Sequence, residues 1–402
     1  MVEVLFALGV LVAIFVGFNI GGSSTGVAFG PAVGSNTLSK LSAAALMTVF
    51  AMAGGLLVGP AVVESLGSDL VATQFSPLIS IVVLFFIGVA LFLSNVVGVP
   101  ASTSMTAVGA IAGLGLARGT LNAALMLEIV SWWLVSPIIA FWVSGVIGRY
   151  FYPRLVEWFA VSQSEGALLD FDRSGAIPRP VLGDNTTQRE FVGTVVVIGI
   201  GCYMGFSAGA SNVANAVAPL VGNGSLDLYP AILLGGGAIG LGAFTIARRT
   251  MDTVGNDLTD LPLVAAIVVA AVASTIVTFL SALGIPASFV IIATMSIVGL
   301  GWGRATRTTS LSDTVHGEAP VASVGALTTD AEAAEAPTVG GKKGTPKPAE
   351  TEPIGEESRE DIPSASDLFE PGTTARVIFL QNIVPSIATL AAYLVFRFLP
   401  IF

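Results

Sequence analysis

The stretch GGSSTGVAFGPAVG at residues 21–34 recurs 188 positions later as GASNVANAVAPLVG at residues 209–222. Six aligned positions carry the same residue, among them a proline and the final glycine of each stretch. A second pair of stretches, 98–118 and 284–304, agrees at ten of twenty-one positions with an offset of 186. Two blocks with nearly the same offset indicate that one structural unit is present twice.

The composition indicates that most of the chain lies in lipid. Hydrophobic residues make up 53% of the 402 residues and charged residues only 11%, whereas soluble domains carry about 25% charged residues. Uncharged apolar runs such as 76–93 and 263–283 approach or reach the roughly 20 residues that a helix needs to cross the hydrocarbon core. We therefore predict an all-α integral membrane protein that crosses the cell membrane several times, with the lipid bilayer as a partner.

Few residues are suited to catalysis or metal binding. The chain has one cysteine, Cys202, and one histidine, His316, and no spacing of His, Cys and acidic residues is typical of a metal site. The interrupted apolar segments contain no carboxylate pair and no nucleophile with a base. The net charge of −10 argues against a nucleic-acid partner. We therefore predict that the protein is not an enzyme and holds no cofactor or structural metal.

Twelve apolar segments can be counted, and the second and fifth of each half are short or interrupted by glycine and proline. Interrupted segments at matching places in two halves are typical of transporters built from repeats. The loop 66–74 has no basic residue, whereas its counterpart begins with Arg248 and Arg249, so the two repeats are predicted to be inverted. We expect about six membrane segments in each repeat, with 24–35 and 211–222 as short broken or re-entrant helices.

The last apolar segment reveals a long insertion. Segment 136–145 resembles 385–396 at an offset of 248 rather than 186, so 62 additional residues precede the final helix. They are rich in Ala, Thr, Pro, Gly and Glu, a composition typical of disorder. The predicted domains are a first membrane repeat at 1–149, a cytoplasmic linker at 150–189, five segments of the second repeat at 190–303, a disordered acidic cytoplasmic insertion at 304–374 and the last membrane helix at 375–402.

Hydroxyl and amide side chains cluster in the interrupted segments. Irregular backbone at membrane depth requires a cavity that satisfies its polar groups. Ser and Asn cap helix N-termini, whose free N–H groups and partial positive charge can bind an anion without a basic side chain. Small residues also serve close helix packing, but their recurrence in both halves favours binding. The predicted substrate-binding residues are Ser23, Ser24, Thr25, Ser102, Thr103, Ser104, Ser211, Asn212 and Asn215.

These motifs resemble those of the PiT family of inorganic phosphate permeases, which includes a sulfate permease branch. Family members carry a GANDxANxxxPxVG-like signature in each half, followed by a PxSTTHT-like segment. The resemblance covers residues 1–303 and 375–398 of this chain. It implies inverted repeats with re-entrant elements and secondary-active phosphate transport coupled to sodium or protons. It also implies that the residues named above other than Thr25 contact the substrate and a coupling sodium ion.

The chain departs from the family signature at its charged positions. Where the signature has Asn-Asp, this chain has Ser23-Ser24 and Ser211-Asn212, and Met105 stands in place of the usual histidine. Ser and Asn supply only neutral oxygens to a cation or to the O–H of phosphate. Three alternatives to a coupled phosphate transporter therefore stay open: a sulfate or other oxyanion permease, an uncoupled anion channel, and a membrane sensor.

Glu128 is the one acidic residue well inside an apolar segment. The offset of 248 makes Arg376 its counterpart in the second half. Charged residues at membrane depth pair with one another or take part in transport. A structural Glu128–Arg376 ion pair, a side chain reaching the membrane surface and a role in transport are therefore the interpretations. The sequence leaves this choice open, and it also leaves open whether the protein forms a homodimer.

Overall fold

The structure, a computed structural model, describes residues 2–34, 37–97, 102–158, 169–172, 179–182, 187–247, 263–306 and 371–399. Within these residues the chain is almost entirely helical, as predicted. The helices are α1 (Val2–Gly34), α2 (Lys40–Leu57), α3 (Gly59–Glu64), α4 (Pro77–Val97), α5 (Thr103–Arg118), α6 (Ala123–Val146), α7 (Tyr152–Trp158), α8 (Gln188–Gly222), α9 (Leu228–Thr245), α10 (Leu263–Ala282), α11 (Phe289–Ala305) and α12 (Pro371–Phe398). Strands β1 (Leu169–Asp172) and β2 (Arg179–Leu182) pair antiparallel, and π-helical turns at Ser65–Asp69 and Ile147–Phe151 extend α3 and α6.

Seven of the described helices are long and apolar enough to cross a membrane. They are α1, α2, α4, α6, α8, α9 and α10, and α11 and α12 contain shorter apolar stretches. Large apolar side chains such as Leu57, Leu134 and Trp142 are exposed on their outer faces, as expected where lipid takes the place of water. The protein is therefore a multi-pass membrane protein, which confirms the prediction from composition.

Polar side chains cap helices that begin outside the apolar segments. Asn122 accepts a hydrogen bond from the backbone N–H of Leu125 at the start of α6, and Thr187 does the same for Glu190 at the start of α8. Such caps satisfy N–H groups that the first turn of a helix leaves without a partner.

The predicted short helices 24–35 and 211–222 are wrong, because α1 and α8 run through them without a break. Hydroxyl groups in α1 bond back to their own helix: Ser23 donates to the carbonyl of Ile20 at 3.1 Å and Thr25 to that of Gly21 at 2.7 Å. Glycine lowers helix propensity in water, but in lipid every backbone group must be bonded internally. The helix therefore continues across the glycines.

The small residues instead allow close helix packing. A Cβ atom at Gly21 of α1 would overlap the backbone carbonyl of Ile239 in α9. Likewise, a Cβ at Gly209 of α8 would overlap the carbonyl of Ala51 in α2. The offset of 188 relates Gly21 to Gly209 and Ala51 to Ile239. The contact of Gly21 with Ile239 therefore has a counterpart in the contact of Gly209 with Ala51, in which each residue comes from the opposite half.

The two long helices run in opposite directions where they pack. Gly9 near the start of α1 faces Leu220 near the end of α8, whereas Phe29 near the end of α1 faces Gly201 in the first half of α8. With α1 and α8 unbroken, each half has five main helices: α1, α2, α4, α5 and α6, then α8, α9, α10, α11 and α12.

Helices α4 and α5 form a hairpin. The backbone N–H of Ala72, before α4, donates to the carbonyl of Thr120, and that of Asn122 donates to the carbonyl of Leu70. The start of α4 and the end of α5 are therefore adjacent. In the second half, α10 and α11 are joined by residues 283–288, where Gly284 adopts a φ of 76°. Helix α5 then packs on α12, and α11 packs on α6.

Some predictions lie outside the described residues. The insertion predicted at 304–374 does so except for its ends, where α11 continues to Ala305 and α12 begins at Pro371. The predicted Glu128–Arg376 pair cannot be placed, because the side chain of Arg376 is outside the described set; Glu128 itself is exposed.

We expect Gly209→Ala to lower the melting temperature of the purified protein, because its Cβ would force α8 away from Ala51. Overpacking of this kind costs about 1–3 kcal/mol. The matched control is Gly199→Ala in the same helix, where no atom lies within 4 Å of the added Cβ. Equal melting temperatures for the two variants, measured by thermal denaturation in detergent, would show that the α2–α8 contact is looser than described.

Candidate functional site

A cavity of about 50 Å³ lies between α1, α8 and the N-terminal ends of α5 and α11. One water molecule requires about 10–15 Å³ of such volume, so the cavity has room for a few waters or for one small oxyanion. Its lining contains hydroxyl, amide and apolar side chains and no charged residue. The lining residues are Ser23, Ser24, Val27, Ala28, Ser102, Thr103, Met204, Ala208, Asn212, Ser288, Phe289 and Val290.

Helix α5 begins at the cavity wall. Ser102 caps it, because its hydroxyl oxygen accepts a hydrogen bond from the backbone N–H of Met105 at 3.2 Å and its carbonyl accepts from Thr106 at 3.1 Å. The prediction of a helix N-terminus at this hydroxyl cluster is confirmed. The first N–H groups of a helix have no partner within the helix, and Thr103, the first residue of α5, lines the cavity.

Helix α11 also begins at the cavity wall. Ser288 precedes it, is 6% exposed, and makes no side-chain cap; its hydroxyl has no hydrogen-bond partner among the described residues. Phe289 and Val290, the first residues of the helix, line the cavity. The offset of 186 makes Ser288 the counterpart of Ser102. Ser288 is not among the nine predicted binding residues, although the internal repeat matches it to Ser102.

A polar network joins α5 to α8 beside the cavity. Thr103 donates a hydrogen bond to the amide oxygen of Asn212 at 2.6 Å, and the hydroxyls of Ser104 and Ser211 are 3.1 Å apart. The amide nitrogen of Asn215 donates to Ser104 and Asn212, both at 3.3 Å. The amide oxygen of Asn215 has no partner among the described residues, although the side chain is only 1% exposed.

The structure brings eight of the nine predicted binding residues to this region. Thr25 is the exception, because it is fully buried and its hydroxyl bonds to its own helix. Five residues line the cavity directly: Ser23, Ser24, Ser102, Thr103 and Asn212. Three belong to the adjoining network: Ser104, Ser211 and Asn215.

The prediction that helix N-termini attract the anion is correct at Ser102 but wrong at the two glycine-rich stretches. Ser23 and Ser211 lie inside unbroken helices, so no helix N-terminus is present at either position. Helices α5 and α11 supply two N-termini instead. Each N-terminus carries the equivalent of about half a positive charge. In a cavity lined by neutral side chains, these two ends are the positive groups that can attract an anion.

The chain is similar to transport proteins. The phosphate transporter family matches residues 20–324. A sulfate permease, CysP, of Bacillus subtilis (strain 168) is 30% identical over 299 residues, which cover 73% of this chain and 77% of the relative. A solved structure described as the sodium-dependent phosphate transporter matches with a TM-score of 0.64 and 16% identity over 98% of both chains. That structural likeness supports the helical fold described above.

Proposed function

Because the chain belongs to the phosphate transporter family, we propose that it is a secondary-active permease that carries inorganic phosphate across the cell membrane. The predicted family resemblance is confirmed. The observation that carries the proposal is the convergence of two helix N-termini on one uncharged cavity. Helix N-termini bind oxyanions through free backbone N–H groups. A site without a fixed positive charge also releases its ion readily, which transport requires.

The anion in this proposal lies between the starts of α5 and α11. Backbone N–H groups at Thr103 and Val290 approach it from two sides, and the unpartnered hydroxyl of Ser288 donates a further hydrogen bond. Asn212 presents its amide group from α8, held in place by Thr103. Ser23 and Ser24 complete the wall on the α1 side.

We further propose that the two halves are inverted repeats that alternate access to the cavity. The antiparallel packing of α1 and α8 and the exchanged Gly21–Ile239 and Gly209–Ala51 contacts support this relation. Inverted repeats place a binding site near the middle of the membrane and allow one half to move against the other. In this arrangement the linker 150–189 lies in the cytoplasm, where its arginines satisfy the positive-inside rule.

Sulfate is the second candidate substrate. No carboxylate lines the cavity, so only neutral oxygens can accept a hydrogen bond from the O–H of a protonated phosphate. Sulfate has no such proton at neutral pH and requires only donors. The relative from Bacillus subtilis is named a sulfate permease, which supports the same candidate.

Sodium is the proposed coupling ion. The hydroxyl oxygens of Ser104 and Ser211 lie 3.1 Å apart beside the cavity, and the amide nitrogen of Asn215 donates to Ser104. The amide oxygen of Asn215 has no partner among the described residues and is the proposed ligand of the ion. Hard cations take oxygen ligands. The residues that line the cavity include no carboxylate or histidine, so a coupled proton would have to travel on the phosphate itself.

We expect Ser288→Ala to lower phosphate uptake into liposomes without destabilising the protein. A lost hydrogen bond to a charged group costs about 1.5–3 kcal/mol, so uptake at low substrate concentration should fall by about tenfold or more. Stability should be unchanged, because the hydroxyl has no protein partner in the described structure. Labelled phosphate and labelled sulfate should be measured in parallel.

The matched control for Ser288→Ala is Ser131→Ala, which removes an exposed hydroxyl that bonds to its own helix. Its uptake should equal that of the unchanged protein. Unaltered uptake of both anions by Ser288→Ala would exclude the proposed contact. A larger loss for sulfate than for phosphate, with faster sulfate uptake overall, would make sulfate the principal substrate.

We expect Asn215→Ala to raise the sodium concentration needed for half-maximal uptake by about tenfold, equivalent to ~1.4 kcal/mol of cation binding. The half-saturating anion concentration should change less, because Asn215 does not line the cavity. Asn223→Ala, just past the end of the same helix, removes an amide bonded to Ser80 and Ser225 and serves as the control for the loss of structural hydrogen bonds away from the site. Uptake that a proton gradient drives equally well without sodium would contradict sodium coupling.

A further inference from the structure

Three hydroxyl side chains of α10 share one face of the helix. Ser274, Thr278 and Ser281 are four and three residues apart, the spacing that stacks side chains along a helix. Their hydroxyl oxygens are buried and have no hydrogen-bond partner in the described part of the chain, and Ser274 and Ser281 are 0% exposed. Thr275 of the same helix instead donates to the carbonyl of Ala271, one turn earlier.

Helix α8 lies along this part of α10. The hydroxyl of Ser207 donates to the carbonyl of Ser274 at 3.1 Å. One turn further along α8, the hydroxyl of Ser211 lies 3.3 Å from the carbonyl of Ala287, which directly precedes Ser288 at the cavity. Two hydroxyls of α8, those of Ser207 and Ser211, therefore contact α10 and the segment that follows it, between the middle of α10 and the proposed binding site.

The matching interface in the first half has different chemistry. The offset of 186 places Gly88 and Phe92 of α4 at the positions of Ser274 and Thr278. The rings of Phe92 and Phe15, the latter from α1, have centroids 6.0 Å apart. A Cβ at Gly88 would lie 2.6 Å from the ring of Phe15. Aromatic packing thus fills the α1–α4 interface at the levels of Ser274 and Thr278. Asn95, the counterpart of Ser281, instead donates to Asn19 of α1.

We propose that the α8–α10 interface is the route by which the anion leaves the cavity towards the membrane side on which α10 begins. The route extends the proposed transport function. Hydroxyls without protein partners can donate to an anion and bond to its hydrating water as it passes, whereas the Phe15–Phe92 pair offers no donor.

The route is closed in this structure. Ala270 and Ile267 continue the hydroxyl-bearing face of α10 towards the start of the helix, and both are buried apolar residues. Release therefore requires α10 to separate from α8 at these two residues. While α10 separates from α8, the Phe15–Phe92 contact keeps α1 and α4 packed together. Separation on one side with closure on the other is what alternating access demands.

Cysteine labelling tests the route. Single cysteines are introduced as Thr278→Cys and Ser281→Cys in a Cys202→Ala background, which removes the one native thiol. Val272→Cys is the control on the opposite face of α10, where Val272 is 8% exposed. Phe92→Cys is the control in the first half. A charged thiol reagent that does not cross lipid is applied to right-side-out and inside-out vesicles.

We expect Thr278→Cys and Ser281→Cys to react about tenfold faster than Val272→Cys, equivalent to ~1.4 kcal/mol in activation free energy. The faster reaction should occur from the side on which α10 begins, and phosphate or sulfate should slow it. Phe92→Cys should react no faster than Val272→Cys. Size-exclusion profiles and thiol counts after denaturation verify that each variant is folded and its cysteine intact.

Equal reaction rates for the α10 cysteines and Val272→Cys would overturn the route, even if the unchanged protein transports anions. Faster reaction from the opposite side of the membrane would also overturn it. Absence of anion uptake by the unchanged protein would instead contradict the proposed function. The labelling rates without anion do not depend on uptake, so the two failures can be told apart.

Discussion

The central constraint on this protein is that backbone N–H groups in hydrocarbon must be satisfied, because no water is present to bond them. Helices α1 and α8 meet this constraint by running unbroken through their glycine-rich stretches. Helices α5 and α11 do not, since both begin beside the cavity. Their first N–H groups therefore require a partner in the cavity, and an anion of the right size supplies one.

Close helix packing holds the two helix starts in place. Glycines allow α1 to approach α9, and α8 to approach α2, to the point where a methyl group would not fit. The polar network of Thr103, Asn212 and Ser104 then fixes α5 against α8. Small residues and hydroxyls thus have separate functions, with glycines bringing the helices together and hydroxyls completing the site.

The sequence was sufficient to predict the membrane class and the duplication, and eight of the nine predicted binding residues lie at or beside the cavity. The start of α5 was predictable because Ser102 and its neighbouring hydroxyls follow Pro100. The breaks at Ser23 and Ser211 were not real, because the propensity of glycine to end helices is a property of aqueous solution. Ser288 was not predicted as a binding residue because the second half retains it alone from the hydroxyl cluster, and only its match to Ser102 in the repeat identifies it.

The most direct test is a structure of the protein with a heavy tetrahedral oxyanion such as selenate or tungstate bound. We expect density for the anion between the N-termini of α5 and α11, within hydrogen-bond distance of the Ser288 hydroxyl and the backbone N–H of Thr103. Density for the anion outside this cavity, with the starts of α5 and α11 left unbound, would contradict the central claim.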